Sequence, residues 1–524
     1  MGASDSEGSQ RNPIRKVLGL GYWVQGFRCF PWMVVNFFLK DALHVHPSTL
    51  QLLQNSANLP MVAKPLFGIL SDAVYLAGQH RIPYIAIGGI LPPSFPFIRL
   101  SYTLNPLVSA LLSVLNYLVF NKFLIDLHGA KRIPANTWFR IIWAVANGKY
   151  YQINYELGRN NKLDVAGLMA VIIAILQAAS WLAIATLAQS SISISTLTLF
   201  LLLSNLGASI AEVANDAIVA EAGKQLTSSR SSQTPSSGEL QSFVWMASSA
   251  GGVFGNLLAG LVIDRFSPRK MFLLFGFLLL LQFFITITVR ESSLNLPKSP
   301  PTVGIRKQLS ELTVALKKPE IAYSVTWFAA SNAIIPTLTG TMFFYQTQCL
   351  KIESSVLGIS KVFGQAAMLL WSIIYDRCLK VVPSRKVISA IQAVMAVFMV
   401  SDVLFVKGIY RSMGMPDSLY VMIFSGLSEV LFFIKILPFS VLIARLCPPG
   451  CEGSLMAFVM SVIAVAFIVS GYLGVALASY VGVTGNNFSG FPLALLIQAI
   501  CTLLPVYWSS NIPDDDEKSK NKNE

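Results

Sequence analysis

Charged residues are scarce in this sequence. Asp, Glu, Lys and Arg make up only 12% of its 524 residues, whereas a soluble globular protein carries about 25%. Hydrophobic residues make up 54%. They occur in runs of about 20 residues, which is the length a helix needs to cross a bilayer. The scarcity of charge therefore excludes an ordinary soluble domain and predicts an all-α membrane protein with many spans.

Patterns that bind metals or nucleotides are also lacking. The chain has four histidines and six cysteines, and only Cys447 and Cys451 are close together, in LCPPGCEG, with no third ligand beside them. No G-x-x-x-x-G-K-[ST], G-x-S-x-G or H-E-x-x-H motif is present. The glycines of GGVFGNLLAG (251–260) fall inside an apolar run, where small residues let helices pack closely. We therefore expect no enzyme activity, no cofactor and no metal.

The charge that is present is mostly basic, with a net charge of +13. No basic stripe with interleaved aromatics lies outside the apolar runs, so nucleic acid is not an expected partner. If both termini are cytosolic, inner loops and tails hold 20 Lys and Arg and outer loops hold 7. Because Lys and Arg are retained on the cytoplasmic side, this bias predicts cytosolic termini.

The first 16 residues do not have the composition of a transit peptide, because they are acidic before they turn basic. This argues against import into a plastid and leaves the membrane otherwise unspecified. MGASDS matches the N-terminal acylation pattern. Acylation of Gly2 therefore remains an alternative.

The apolar runs predict twelve spans if a third span exists. The other eleven lie at residues 18–39, 50–71, 195–219, 241–263, 271–289, 322–346, 355–375, 386–406, 419–445, 453–481 and 489–508. Residues 290–321 are Pro-rich and then amphipathic and basic, which predicts a linker with a helix on the membrane surface. Six spans, a basic linker and six spans resemble the layout of the major facilitator superfamily.

This layout predicts the organisation of the chain. Residues 1–16 form a cytosolic tail, residues 17–88 and 171–289 form the amino-terminal six-helix half, residues 290–321 form the linker, residues 322–510 form the carboxy-terminal half and residues 511–524 form a charged cytosolic tail. The segment 89–170 fits neither half.

Two charge pairs repeat across the chain. Arg81 follows Asp72 by nine residues, and Arg385 follows Asp376 by nine residues, six spans later. The shared spacing indicates two duplicated halves. An acid that faces a base across a short loop can form a gating latch, which breaks when helices rock. A plain topogenic charge cluster is the alternative.

The region of the third span is irregular. RIPYIAIGGILPPSFPF (81–97) starts like a membrane helix and then meets three prolines. Residues 82–88 joined to residues 171–187 give one uninterrupted apolar span. We therefore hypothesise that residues 89–170 are a retained intron translated in frame, since the encoded residues permit GT and AG at its ends. A genuine loop of this length is the alternative.

Ionisable residues inside predicted spans are informative, because each is costly in lipid and faces a cavity or a partner. They include Arg28, Lys64, Glu212, Asp216, Glu429 and Lys435. Lys64 lies between two prolines that can break its helix. Glu212 and Asp216 are four residues apart, on one helix face. The bases either form structural ion pairs with these acids or line a polar cavity with them. Glu429 and Lys435 are predicted to form a coupling or structural ion pair.

Five short motifs carry a family resemblance. They are GYWVQGF (21–27), LKDALHVHPS (39–48), NLPMVAKPLFGILSDAV (58–74), HRIPYIAIG (80–88) and NDA (215–217). Together they resemble the plant branch of the folate–biopterin transporter family, over nearly the whole chain except residues 89–170. The resemblance implies the major facilitator fold, with 12 transmembrane helices in two six-helix halves. It also implies proton-coupled transport of folates or pterins by alternating access.

The resemblance implies roles for the charged residues as well. A folate has a flat pterin and a glutamate tail with two carboxylates. Arg28 and Lys64 would bind the tail, with Arg28 as a bidentate fork. Glu212 or Asp216 would accept hydrogen bonds from the pterin edge.

Aromatic residues of the first span would stack on the pterin ring, unless they only line a helix interface. They are Trp23, Phe27, Phe30 and Trp32. We expect a monomer in membrane lipid, with protons and a small molecule as its other partners. Transport of another organic anion, or a receptor or scaffold that no longer transports, are the alternative functions.

Overall fold

The computed structural model describes residues 2–73, 176–187, 192–228, 237–288, 305–379, 382–446 and 452–509. All regular structure in these ranges is helical. The α-helices are α1 (Gly2–Phe27), α2 (Cys29–Phe37), α3 (Pro47–Ala57), α4 (Lys64–Ala73), α5 (Leu176–Thr186), α6 (Ile194–Ser228), α7 (Ser237–Val262), α8 (Pro268–Thr288), α9 (Ile305–Leu316), α10 (Pro319–Ala333), α11 (Thr339–Phe344), α12 (Ser354–Ile374), α13 (Ser384–Val406), α14 (Ile409–Ser412), α15 (Asp417–Tyr420), α16 (Gly426–Ile434), α17 (Ile436–Leu446), α18 (Glu452–Tyr480) and α19 (Phe491–Tyr507). A 3-10 turn (Leu59–Ala63) and π-helical turns (Phe38–Ala42, Tyr345–Cys349, Tyr375–Leu379 and Val421–Ser425) extend or join them.

Many helices are long enough to cross a membrane. Within the described ranges there are seven such apolar helices, namely Ile194–Asp216, Phe243–Val262, Pro268–Thr286, Ser354–Leu379, Ser384–Val406, Asp417–Ile443 and Leu455–Tyr480. The shorter helix α19 is also apolar. The first predicted span is divided into α1 and α2, and the second into α3, a 3-10 turn and α4. The prediction of an all-α membrane protein is confirmed.

The third predicted span is described only in its second part. Helix α5 has 11 residues, which is about 16 Å at 1.5 Å per residue, whereas the hydrocarbon core is about 30 Å thick. It packs against α6 and α8, and the ring of its buried Trp181 lies 5.5 Å from that of Phe275. Residues 82–88 and the segment 89–170 lie outside the described residues, so the retained-intron hypothesis stays a prediction.

Small residues bring helix backbones together, as the glycines of 251–260 predict. Helix α7 packs against α1 and α2. A Cβ on Gly251 would lie 2.1 Å from the carbonyl oxygen of Trp23, a contact that no side chain can make. A Cβ on Gly255 would lie 3.1 Å from the carbonyl oxygen of Phe27. These glycines therefore serve helix packing.

The two halves meet along two seams. Helix α7 packs against α12, and helices α3 and α4 pack against α18. At the first seam, a Cβ on Gly260 would lie 3.0 Å from the Cα of Gly358. Ser354 Oγ donates a hydrogen bond across this seam to the Gly260 carbonyl oxygen, at 3.1 Å. Close backbone contact between α7 and α12 thus joins the halves at this seam.

Gln51 of α3 ties the second seam together. Its buried amide nitrogen donates to the carbonyl oxygens of Thr337, at 2.6 Å, and Gly471, at 2.8 Å. Its Oε1 accepts from the backbone N–H of Gly340, at 3.0 Å. One side chain of the amino-terminal half therefore satisfies three backbone groups of the carboxy-terminal half.

The predicted amphipathic helix of the linker is present as α9. Its residues Leu312 and Ala315 are buried, and Leu316 is partly buried against Ile321 and other core residues. The helix contacts α4, α10 and α18. The part of this face formed by Leu312 and Ala315 is therefore covered by protein, which differs from a helix that lies on lipid alone. The helix packs on protein because three neighbouring helices offer it apolar surface to bury.

The predicted latch residues fall in three described elements. Asp72 lies in α4, Asp376 in the π-helical turn Tyr375–Leu379, and Arg385 in the first turn of α13. Arg81 lies outside the described residues. The latch stays a prediction.

Candidate functional site

Arg28 lies at the break in the first span, between α1 and α2. Pro31 has no N–H, so the carbonyl of Phe27 loses its usual helical partner. The Arg28 backbone still continues the turn, since its N–H donates to the Val24 carbonyl oxygen at 3.1 Å. The break therefore displaces the chain only locally and places the Arg28 side chain inside the protein, 14% exposed.

Lys64 lies at the break in the second span. It is the first residue of α4 and directly follows the 3-10 turn Leu59–Ala63. Pro60 is the second residue of that turn, and Pro65 follows Lys64. The predicted interruption of this helix by two prolines is confirmed.

Glu212 of α6 joins the two broken spans. Its Oε1 accepts a short hydrogen bond from Arg28 Nη1, and its Oε2 accepts from Lys64 Nζ at 2.7 Å. The Glu212 side chain is 9% exposed, and that of each base is 14% exposed. One carboxylate therefore bridges two cations away from bulk water, so the structural ion pairs allowed by the sequence are formed.

Asn205 completes this network, and the sequence reasoning missed it. Its Oδ1 accepts from Arg28 Nη2 at 2.6 Å. Its Nδ2 donates at 2.7 Å to the carbonyl oxygen of Ala57, which is free where α3 ends. Asn205 precedes Glu212 by seven residues, or about two helical turns, so both lie on one face. A polar residue at that spacing within an apolar run was the available signal.

Asp216 lies one turn after Glu212 and behaves differently. It accepts a hydrogen bond from Tyr22 Oη at 2.5 Å, and its side chain is exposed. Among the described residues, no base lies within salt-bridge distance of it. Asp216 is therefore an accessible carboxylate beside a buried, paired one.

The aromatic residues of the first span pack mainly against protein. Phe27 is buried, with ring centroids 5.1 Å from Trp23 and 5.2 Å from Phe30. Phe254 and Phe275 also contact Phe27. For Phe27 the geometry is that of a helix interface. Its predicted role in stacking on a ligand stays a prediction.

Glu429 and Lys435 do not pair with each other, which corrects the predicted ion pair. Six residues along a helix place them on different faces. Lys435 is fully buried, and its Nζ donates to Gln392 Oε1 at 2.8 Å and Ser331 Oγ at 3.2 Å. Its Nζ also lies 5.1 Å from the ring centroid of Phe328. Among the described residues, neutral groups alone stabilise this lysine.

Glu429 instead pairs with Lys361 of α12. Their side chains are 43% and 39% exposed. Lys361 lies in a predicted span, but the residues near it in the sequence did not predict an ion-pair partner. The tertiary contact of α16 with α12 decides the pair.

Comparisons with known proteins agree with this architecture. The BT1 family matches residues 25–124 and 169–524. The residues between the matched parts, 125–168, lie inside the segment 89–170. The Arabidopsis thaliana protein named "Probable folate-biopterin transporter 7" is 53% identical, over 98% of this chain and 96% of that protein.

More distant proteins are also similar to this chain. The Synechocystis sp. protein named "Folate-biopterin transporter" is 24% identical, over 96% of this chain and 82% of that protein. The crystal structure of a D-xylose-proton symporter has a TM-score of 0.54 at 14% identity, covering 95% of this chain and 97% of that one. These proteins are transporters rather than enzymes, as the lack of catalytic motifs predicts. Since the family match covers most of the chain and the Arabidopsis relative aligns over 98% of it, the chain belongs to the BT1 family of membrane transporters and has the major facilitator fold.

Proposed function

We propose that this protein is a secondary active transporter of folates or pterins that works by alternating access and is coupled to protons. The observation that carries the proposal is the network of Arg28, Glu212 and Lys64, built where two spans are broken, in a chain of the BT1 family. The names of the Arabidopsis and Synechocystis relatives support the substrate class.

Broken spans support a transport site. An unbroken helix satisfies its own backbone and offers only side chains, whereas a broken one also frees backbone groups inside the membrane. Arg28 and Lys64 each lie at such a break. Charged groups are costly at this depth, so their presence supports a polar cavity rather than a purely structural core.

The charge balance supports proton coupling. In the amino-terminal half, Arg28 and Lys64 balance Glu212 and Asp216, and in the carboxy-terminal half Lys361 balances Glu429. These six side chains therefore carry no net charge before a substrate binds. A folate brings negative charge into a region of low dielectric, where uncompensated charge is costly. A proton that binds one of the acids offsets that charge and crosses with the substrate.

The two seams support alternating access. Gln51 joins α3 to backbone groups near the end of α10 and in α18, and Ser354 joins α12 to α7. Gln51 and Ser354 belong to helices that begin at the same end of the bundle. These hydrogen bonds hold the halves together at that end, and opening the pathway there requires that they break.

Uptake by proteoliposomes tests the proposal. The full chain and a form without residues 89–170 are reconstituted separately, and uptake of labelled folic acid and of a pterin without carboxylates is measured with and without an inward proton gradient. We expect saturable uptake that the gradient increases and a protonophore removes. Protein-free liposomes are the control.

Other outcomes separate the alternatives. Binding without uptake by either form would favour a receptor. Uptake of other organic anions, with none of folic acid or pterin, would replace the substrate class but keep the transporter. No binding and no uptake would overturn the proposal.

A further inference from the structure

The carboxy-terminal half contains a second charged pair, Lys361 and Glu429, which is far more accessible than the amino-terminal network. The side chain of Lys361 is 39% exposed, compared with 14% for Arg28 and for Lys64. An anion that enters the protein therefore reaches Lys361 more easily than either of the other two bases.

Lys361 faces the amino-terminal half rather than lipid. Ser354 and Gly358 lie seven and three residues before Lys361, and Gln365 lies four after it, so all four share a face of α12. Ser354 and Gly358 contact Gly260, and Gln365 approaches Gly252, within the amino-terminal half. Phe363, Leu370 and Ile374, which are exposed and apolar, lie on the opposite face.

Glu429 faces the same space. On its helix α16, Gly426 packs so closely that a Cβ would lie 2.0 Å from the carbonyl oxygen of Ser360 in α12. On the other side of Glu429, the ring of Phe432 contacts that of Phe467 in α18 at 6.4 Å. Glu429 thus lies between the contacts with α12 and α18, the two helices that pack against the amino-terminal half.

An exposed aromatic ring accompanies the pair. Phe433 lies one turn after Glu429, on the same side of α16, and is 46% exposed. Its ring lies 5.8 Å from Phe467 of α18, tilted by 38°. An exposed ring beside an exposed ammonium and carboxylate fits a ligand that is both aromatic and charged.

The bases also differ in how firmly they are held. Arg28 is bound by Glu212 and Asn205, and Glu212 is shared with Lys64. An entering carboxylate would have to disrupt this buried, many-partnered network. Lys361 has one carboxylate partner in the described part of the chain, and a half-exposed pair is held weakly because water competes for both groups.

We propose that Lys361 binds the carboxylate of an aromatic carboxylate substrate, which takes the place of Glu429, while the substrate ring packs on Phe433. This deepens the proposed transport function and rests on it. Glu429 is the resident counterion that keeps Lys361 paired when no substrate is present.

Equilibrium binding to the purified full chain tests this assignment, separately from uptake. Folic acid and p-aminobenzoylglutamate carry the carboxylates, and a pterin without carboxylates lacks them. We expect Lys361→Gln to weaken binding of both carboxylates about tenfold and to leave binding of the pterin within twofold. Glu429→Gln removes the competing carboxylate and should tighten binding of the carboxylates severalfold. Lys407→Gln, in an exposed loop, is the matched control and should change nothing.

Three results would overturn the assignment. They are unchanged affinity for carboxylates in Lys361→Gln, an equal loss for carboxylates and the pterin, and no binding of carboxylates by the unmodified chain. Binding without uptake would contradict transport alone and leave this assignment open to the same test. In that case the Lys361 and Glu429 variants still decide the binding site.

Discussion

The two halves of this BT1 family member hold their intramembrane charges in opposite ways. The amino-terminal half places two bases on one buried acid, with Asn205 as an additional partner. In the carboxy-terminal half the charged residues do not form one network. Lys361 and Glu429 form a partly exposed ion pair, and Lys435 is buried among neutral groups. The difference indicates that the two halves do not share one kind of charge network.

The predicted third spans of the two halves also differ. The ninth predicted span is one continuous helix of 23 residues, α13, whereas the third predicted span is interrupted in the sequence by residues 89–170. If one half rocks against the other, each half must move as a rigid body. The interrupted third predicted span is therefore the most direct place to test the difference between the halves.

The largest expected effect concerns this interruption. Removal of residues 89–170 joins residues 82–88 to 171–187 in a span of 24 residues, which is about 36 Å of helix and long enough to cross the bilayer. We expect folate uptake to appear, or to rise at least tenfold, in the shortened protein. Reverse-transcription sequencing across residues 80–190 should find a transcript that lacks those 82 codons. A transcript that is always full length, together with inactive shortened protein, would contradict the hypothesis.

A smaller but still large effect should separate the two ion-pair systems. Glu212→Ala leaves Arg28 and Lys64 without a carboxylate and should lower stability by about 3–5 kcal/mol. Glu429→Ala leaves a half-exposed lysine that water can solvate and should cost about 0–1 kcal/mol. Thermal denaturation in detergent measures both. Equal losses would show that the two systems are held alike.

Asp216 should affect transport without affecting stability. Its carboxylate is exposed and bonded to Tyr22 rather than to a base, so little in the fold depends on its charge. We expect Asp216→Ala to reduce uptake at least tenfold, with membrane levels and melting temperature unchanged. Thr198→Ala, at a partly exposed helix position in the same span, is the control. Unchanged uptake would remove Asp216 from the proposed site.

The smallest effect is expected at Lys435. Lys435→Met keeps the length of the side chain and removes a buried charge that no carboxylate balances in the described part of the chain. Stability should rise by about 1 kcal/mol or remain unchanged. A loss of several kcal/mol would mean that the contacts with Gln392 and Ser331 outweigh the cost of burial.

Sequence reasoning predicted the elements of the amino-terminal network well. The prolines on either side of Lys64 predicted a broken helix, because proline removes a backbone donor wherever it stands, whereas the break at Arg28 was not predicted. The four-residue spacing predicted that Glu212 and Asp216 share a face, since that periodicity is local. Neither rule could predict that Glu212 pairs with both Arg28 and Lys64, or that the Asp216 carboxylate remains accessible. That outcome depends on how far each break displaces the chain relative to α6.

The predictions for the carboxy-terminal half were weaker because its contacts are non-local. Glu429 and Lys435 are close in sequence, which made them appear to be partners, but helical geometry places them on different faces. Lys361 lies 68 residues from Glu429, and only the close packing of Gly426 on α12 brings the two together. The hydrogen bonds by which the Gln51 amide connects the halves were not predicted either, because they too are non-local.

The sequence by itself determined the class of protein, because apolar runs and basic loops respond to the bilayer, which acts on every segment independently. It also determined the family and the position of the helix break at Lys64. The tertiary structure alone decided which charges meet, which remain open to water and which seams join the halves. Partners in a helical bundle are selected by packing between segments far apart in sequence, and a charge held inside a membrane protein is stabilised only by the partner that packing supplies.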